Sequence, residues 1–564
     1  MGSLDQDQVY DFIICGQVLT KQGKAAPRAV SLPVGLPRAQ IARQLFDLET
    51  DWNVTSQPNP GADDRTVKLT RGKFLGGCSG CNATLCIRGS RQDFDDWGVE
   101  GWSGDEVFAY MRKAERFHGR DWFRACEAEH GTDGLLDVEP YDLAPISDLL
   151  LESFVDKGLP LDHDLFTHGR NPHGCGHAPR SVHNGVRSTA ARFVADKARA
   201  RSGVDIMTET LVDKVVVERV GGELRATGVR LVKADGSVVH VKAGKEVIVS
   251  GGSYCSPNIL NRSGIGAKDE LDKFGIETLV DLAGVGKNLM DHLIAFIVYE
   301  TEHQGLTVDK DLFHDDGLAR SYALWKDHKA GVLAGFPFGC VAFARLDSRL
   351  SDSAVWNAAP RQPGRDPMGL TPRQPNVELM TIQCYGGPKS FTDFPVGGSH
   401  TFCLVPELFS PRSRGSVALR SADPRDVPLV DTNYLADPLD VEVMAEACRF
   451  ANEIVVDGKG TRDVVKGSWP RELIHHRYTT REDWIPFVKK NATTCYHPAG
   501  TCAMGKTDDP KTVVDAKLRV KGVNGLRVAD CSIMPTLNGG HTQMPAYAIG
   551  EKAADLIKEA WGLK

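Results

Sequence analysis

Asp11-Phe-Ile-Ile-Cys-Gly16 is a short apolar run that ends in glycine. It reads as a buried strand entering a tight turn, the way a dinucleotide-binding βαβ unit begins. Such a unit continues with G-x-G-x-x-G, a helix whose N-terminus faces a pyrophosphate, and an Asp or Glu about 20 residues on for the ribose. Here only Gly16 fits. Gln17, Val18, Leu19 and Thr20 follow, and no Asp or Glu stands between Phe12 and Phe46. Gly16 to Gly23-Lys24 has the wrong spacing for a P-loop, and Ala25 follows the lysine.

The rest of the chain is regular. Lys214-Val-Val-Val217, Gly228-Val-Arg-Leu-Val232 and Val238–Val241 are β-rich runs, split by hairpin signals at Gly221-Gly222 and Asp235-Gly236. Glu246-Val-Ile-Val-Ser250 enters Gly251-Gly252 and reads as a core strand. Helical periodicity covers Val441–Val455, with Asp440 as the expected N-cap, and Ala546–Glu559. Residues 350–375, rich in Pro, Arg, Asp and Ser, read as a long exposed loop. The mixture predicts an α/β fold plus an α+β portion.

With 564 residues, 41% hydrophobic and 25% charged, the chain is long enough for one large or two to three ordinary domains. A formal charge of -7 gives no reason to expect nucleic acid or an anionic membrane as partner. No apolar run approaches a membrane span, and the first residues lack the basic and apolar regions of a secretory signal. The expected location is cytoplasmic. The 14 cysteines are then expected reduced and mostly buried, and triplets such as Asn53-Val-Thr55 are not expected to carry sugar. Nothing in the sequence sets an oligomeric state.

Further glycine motifs follow in order. They are Arg71-Gly-Lys-Phe-Leu-Gly76-Gly77-Cys78-Ser79-Gly-Cys81-Asn82, Gly251-Gly-Ser-Tyr-Cys-Ser256 continuing to Ser263-Gly-Ile-Gly266, and Gly284-Val-Gly-Lys-Asn288-Leu-Met-Asp291-His292. Near the end stand Cys495-Tyr-His497-Pro-Ala-Gly500-Thr-Cys-Ala-Met504, Gly525-Leu-Arg-Val-Ala-Asp530-Cys-Ser-Ile-Met-Pro535 and Gly539-Gly-His541-Thr-Gln-Met-Pro545. Together, and with Pro411-Arg-Ser-Arg-Gly415-Ser-Val-Ala-Leu419, they resemble the glucose–methanol–choline (GMC) family of flavin oxidoreductases from about Leu32 to the C-terminus.

That resemblance implies a doubly wound FAD-binding domain, its first βαβ unit incomplete here, assembled from residues 1–145, 180–300 and 490–564. It also implies a substrate domain with an antiparallel sheet from 146–179 and 301–489. The implied reaction is oxidation of a small-molecule alcohol to an aldehyde or ketone, of the kind found in specialised metabolism, with oxygen or another electron acceptor. His497 matches the family's catalytic histidine, and a neutral imidazole can take a hydroxyl proton at neutral pH. His541 falls where the family places a second His or Asn to orient the substrate. Gly16, Gly76, Gly77, Ser79, Asn82, Val212, Asp530 and Thr542 match cofactor-facing positions, Val212 on the strand that meets the adenine. No metal is expected. Cys78, Cys81 and Cys86 lack the spacings of a zinc site, and His163, His168, His173, Cys175, His177 and His183 read as a surface loop. Attachment of the flavin through Cys81 is a further possibility raised by relatives that use a histidine nearby.

The family pattern resumes only near Leu32-Pro-Val-Gly-Leu-Pro-Arg38, leaving too little chain after Gly16 for the helix and strand of a βαβ unit, which needs roughly 30 residues. The gap would remove charge-assisted hydrogen bonds of about 1.5–3 kcal/mol each and expose a sheet edge. It is compatible with a wrongly spliced gene model of a normal flavoenzyme, with a flavin-free, inactive homologue that acts as a binding or scaffold protein, or with another chain or segment that completes the site.

Overall fold

The computed structural model describes residues 9–16, 50–194, 203–387 and 398–563. The strand Val238–Ser250 is the centre of a five-stranded sheet. On one side it pairs in parallel with Val9–Gly16, which sets Gly16 beside Ser250. On the other it pairs antiparallel with Glu223–Lys233 along its first half and parallel with Leu526–Val528 along its second. Val247, Ile248 and Val249 are buried, as the side chains of a central strand covered on both faces must be. The two short runs expected at 238–241 and 246–250 are therefore one strand, continuous because each half finds its own partner. Gly221-Gly222 joins Thr210–Val220 to Glu223–Lys233 as a two-residue hairpin.

Among the described residues Val9–Gly16 has no partner on its outer edge, and Ile14 is 71% exposed. The segment that should continue the fingerprint, Gln17 to Phe46, including Leu32–Arg38, lies outside the described residues.

A second, eight-stranded sheet runs in the order Val465–Ser468, Ile297–Thr301, His400–Leu408, Val377–Ile382, Phe338–Ala344 and Gly174–Gly176, with Leu293–Ile294 and Thr493–Thr494 attached to it. Residues 293–300 and 493–494, inside segments expected for the first unit, thus hydrogen-bond into the second sheet, because their antiparallel partners are on His400–Leu408 and on each other. Side chains alternate across this sheet. Val377, Leu379, Phe402 and Leu404 pack on the helix Pro438–Asp457 in one core. Met380, Ile382, Cys403 and Val405 turn to the opposite face, toward a separate apolar cluster. Ser416–Ala418, within the Pro411–Leu419 motif, forms a separate two-stranded ribbon with Leu429–Asp431.

Pro438 occupies the first turn of its helix and Asp437 caps it by accepting the Leu439 N–H at 2.9 Å. Asp440, the expected cap, instead accepts the N–H groups of Arg412 at 2.6 Å and Ser413 at 2.8 Å, and the Ser413 hydroxyl. It lies inside the first turn, where its carboxylate reaches sideways to the Pro411–Gly415 motif. Replacing Asp440 by Ala strands these buried donors and should cost roughly 2–4 kcal/mol, read from the denaturant midpoint. Residues 350–375 are only partly the exposed loop expected. Ala354–Ala358 is helical, and Met368, Leu370 and Gln374 are buried, because the Asp366 carboxylate binds the Leu370 N–H at 2.9 Å and the Asn376 amide at 2.7 Å.

Candidate active site

The two sheets enclose a cavity of about 1910 Å³ lined by residues of both. A drug-sized pocket is roughly 300–1,000 Å³, so this one has room for a large ligand and a smaller one together. Gly16, Gly76, Gly77, Ser79, Asn82, Val212, His497, Asp530, His541 and Thr542 all line it, drawn from the whole length of the chain.

The loop Phe74–Asn82 brings backbone to the cavity. Gly76 and Gly77 have φ of 95° and 51°, and a Cβ on Gly76 would sit 2.9 Å from Ala191. Ser79 spends its hydroxyl on the loop itself, donating to the Gly76 carbonyl at 2.6 Å and accepting the Ala190 N–H at 3.0 Å. Asn82 binds Arg187 at 2.7 Å and the Gln543 side chain, which ties the loop to the first turn of the C-terminal helix Gln543–Trp561. Thr542 immediately precedes that helix. Asp530 accepts the Gly252 N–H at 2.8 Å and the Ser256 hydroxyl at 2.6 Å, so it ties the segment after Leu526–Val528 to the glycine turn after the adjacent strand Val238–Ser250.

His497 follows Tyr496, which has φ of 63°. A bulky residue in the left-handed region signals local strain of the kind that functional sites retain. Asp291 holds the turn. It accepts the His497 N–H at 2.7 Å and the hydroxyls of Thr494 and Tyr434 at 2.6 Å each. His541 follows Gly539-Gly540, and a Cβ on Gly540 would lie 2.5 Å from the Gly89 nitrogen. The His497 and His541 ring centroids are 4.7 Å apart.

Behind the pair stand residues that sequence reasoning missed. Glu378 and Glu407 lie directly opposite each other on neighbouring antiparallel strands, both fully buried. His541 Nε2 is 3.2 Å from Glu378 Oε2 and 3.7 Å from Glu407 Oε2. His497 Nδ1 is 3.3 Å from Glu407 Oε1 and 3.0 Å from His292 Nδ1. The available signal was an acid inside an apolar strand, as in Val377-Glu-Leu-Met380 and Leu404-Val-Pro-Glu407.

Burial, reinforced by His541 and His292, brings the His497 pKa down to about 3 against the pull of Glu407, so the ring is neutral near pH 7. Burial also disfavours charge on His541, but the facing carboxylates outweigh it and raise the pKa above the ordinary value. Burial raises Glu378 to about 6. Burial would raise Glu407 too, yet its contacts with His292 and His497 hold it well below the usual carboxylate range.

The expected surface loop of histidines is not one. His168 and Cys175 are buried, because His168 pairs with Asp162 at 2.9 Å and Cys175 sits in the eight-stranded sheet. His183 pairs with Glu139 at 3.0 Å. Among the described residues, the groups close enough to share a metal ion are His292, Glu407 and His497, and Glu378, Glu407 and His541. None of the 14 cysteines is joined in a disulfide.

Several polar atoms of the lining, among them Thr70 Oγ1, Arg71 Nε and Nη2, Tyr254 OH and Tyr547 OH, are buried without a hydrogen-bond partner among the described residues. Buried polar groups are normally satisfied, so this wall fits a ligand rich in hydrogen-bonding groups. The family model of the GMC oxidoreductase N-terminal domain matches residues 14–294, and that of the C-terminal domain matches 411–550. This chain belongs to the GMC oxidoreductase family. It is 31% identical to glucose dehydrogenase [FAD, quinone] of Drosophila pseudoobscura pseudoobscura, over 99% of this chain and 88% of that protein. It is 32% identical to the oxygen-dependent choline dehydrogenase of Sinorhizobium fredii, over 90% and 85%. Among solved structures, a formate oxidase superposes with a TM-score of 0.84 and 28% identity over 98% of both chains. A formate oxidase variant of Aspergillus oryzae does so with 0.82 and 29% over 92% and 90%. The fold is that of the FAD-binding GMC oxidoreductases, and FAD is the cofactor.

Proposed function

We propose that this chain oxidises an alcohol to an aldehyde or ketone, with His497 as the base and His541 as the group that orients the substrate oxygen. A base held neutral by burial, close beside a second imidazole that two carboxylates draw toward its protonated form, both on the cavity wall, carries this reading. Bound FAD supplies a two-electron acceptor for the hydride. His497 takes the hydroxyl proton at its free ring nitrogen, Nε2. His541, drawn toward its protonated form by Glu378 and Glu407, donates a hydrogen bond to the same oxygen and holds the carbon–hydrogen bond in one orientation. Gly16, Gly76, Gly77, Asn82, Val212, Asp530 and Thr542 would hold the cofactor. Ser79, whose hydroxyl is already engaged, would do so by shaping the loop. We assign residues 1–145, 180–300 and 490–564 to the cofactor unit and 146–179 and 301–489 to the substrate unit, apart from the strand residues 293–300 and 493–494 that hydrogen-bond into the second sheet. The flavin would pass its electrons to oxygen or another acceptor. Among the described residues no helix is long and apolar enough to cross a membrane, and we place the reaction in the cytoplasm.

The lining also speaks to the substrate. Ile294, Phe296, Phe338, Met380, Ile382 and Val405 form an apolar lobe of the cavity on the same sheet face as Glu378 and Glu407. Both carboxylates are fully buried and engaged with histidines, leaving them no surface to offer a substrate cation. An apolar substituent is therefore favoured over a sugar or a quaternary amine. Across a series of straight-chain primary alcohols, kcat/KM should rise about 4-fold for each added methylene, following about 0.8 kcal/mol per buried CH₂. Anaerobic bleaching of the flavin band measures it. Faster reduction by glucose or choline than by any apolar alcohol would sink the assignment.

A further inference from the structure

We propose that Glu407 is a positioning residue that holds His497 in the tautomer with its proton on Nδ1 and its lone pair on Nε2, facing the cavity. The proposal rests on the reading of His497 as the base. Met380 stands opposite Val405 and Ile382 opposite Cys403 on these strands, so the sheet packs this face with uncharged side chains. At the next pair toward the histidines it places two carboxylates side by side, an arrangement that repels unless something neutralises it. The histidines do so. Glu407 Oε1 is 2.9 Å from His292 Nδ1 and 3.3 Å from His497 Nδ1. Glu407 Oε2 accepts the Cys495 thiol at 3.2 Å and lies 3.7 Å from His541 Nε2. His292 is fully buried and its Nε2 has no hydrogen-bond partner; its Nδ1 is hydrogen-bonded to His497 Nδ1 at 3.0 Å, while Glu407 Oε1, which makes no hydrogen bond of its own, acts on both rings through its charge.

One buried carboxylate thus faces the base, its neighbouring imidazole and the orienting imidazole. A carboxylate at Nδ1 favours the proton there, as in other carboxylate–histidine pairs. The substrate hydroxyl then breaks its O–H bond toward Nε2. The ring becomes a cation while the hydride leaves for the cofactor, and Glu407 balances the new charge without taking the proton. The titratable groups around Glu407 are Glu378 on the adjacent strand, His292 beside Leu293–Ile294, Cys495 and His497 after Thr493–Thr494, and His541.

The test is Glu407→Gln, close in shape and without charge. The FAD-loaded variant should keep its flavin content and KM while kcat falls roughly 10–100-fold, the size typical of a lost orienting partner. A negative charge raises the pKa of each neighbouring imidazole, so its removal should move both the acid and alkaline limbs of kcat/KM to lower pH. His497→Ala separates the claims. Normal turnover in His497→Ala overturns the base assignment and this proposal together. An inactive His497→Ala beside a Glu407→Gln with wild-type turnover and pH profile overturns this proposal alone. If Glu407→Gln does not fold, nitrogen-15 histidine resonances of the wild-type protein decide. An Nδ1–H tautomer at His497 supports the proposal and an Nε2–H tautomer overturns it.

Discussion

His497→Ala is expected to lower turnover about 10²–10⁴-fold, the usual contribution of a general base, with bound FAD unchanged. The cofactor should survive because the buried unpartnered atoms that suit a polar ligand belong to Thr70, Arg71, Tyr254 and Tyr547, and the glycine turns belong to other segments. The flavin absorbance of the purified variant and its rate of anaerobic reduction by alcohol separate the two effects. A yellow variant reduced at the wild-type rate would remove His497 from its role. The same substitution leaves Glu378 and Glu407 with His541 and His292, so the carboxylates retain imidazole partners and the protein should still fold.

The second large effect is expected at Asp291. Its carboxylate is buried and serves three donors on two other segments, Tyr434, Thr494 and His497. Ala at this position leaves all three without an acceptor, and the strained turn at Tyr496 loses its anchor. Hydrogen bonds to a charged group contribute about 1.5–3 kcal/mol each but do not add fully. The expected cost is about 3–5 kcal/mol in equilibrium unfolding, together with loss of turnover as His497 leaves its position. Asp291→Asn, which keeps the shape and one carbonyl acceptor, should cost less than half as much. A stability change under 1 kcal/mol for Asp291→Ala would show that the turn holds itself.

How much of this was legible in the chain depends on which contacts each residue makes. The buried half-strand Glu246–Ser250 and the turn at Gly221-Gly222 answer to local rules of periodicity and turn chemistry, and both are found, although the first is the end of one continuous strand, Val238–Ser250. The boundary between Asp437 and Asp440 was missed because either aspartate satisfies the local pattern. Only the approach of Arg412 and Ser413 chooses between them. The histidines from His163 to His183 were misread for the same reason. Glycine and proline around them suggest exposure, while Asp162 and Glu139, brought in by the fold, bury or engage them.

By itself the sequence determined the family, and it singled out the glycine turns and the histidines at 497 and 541 that the fold brings to one cavity, because these are short motifs whose backbone requirements are written in consecutive residues. It also showed the break after Gly16. Only the tertiary structure decided which groups surround those histidines. Glu378, Glu407 and His292 come from three separate strands or strand entries, and each reads locally as an odd polar residue in an apolar run. A buried charge is tolerated only where partners of opposite charge meet it, and such partners, from Glu407 and His497 to the more widely separated Glu378 and His541, are far apart along the chain and become neighbours only when the sheet has formed.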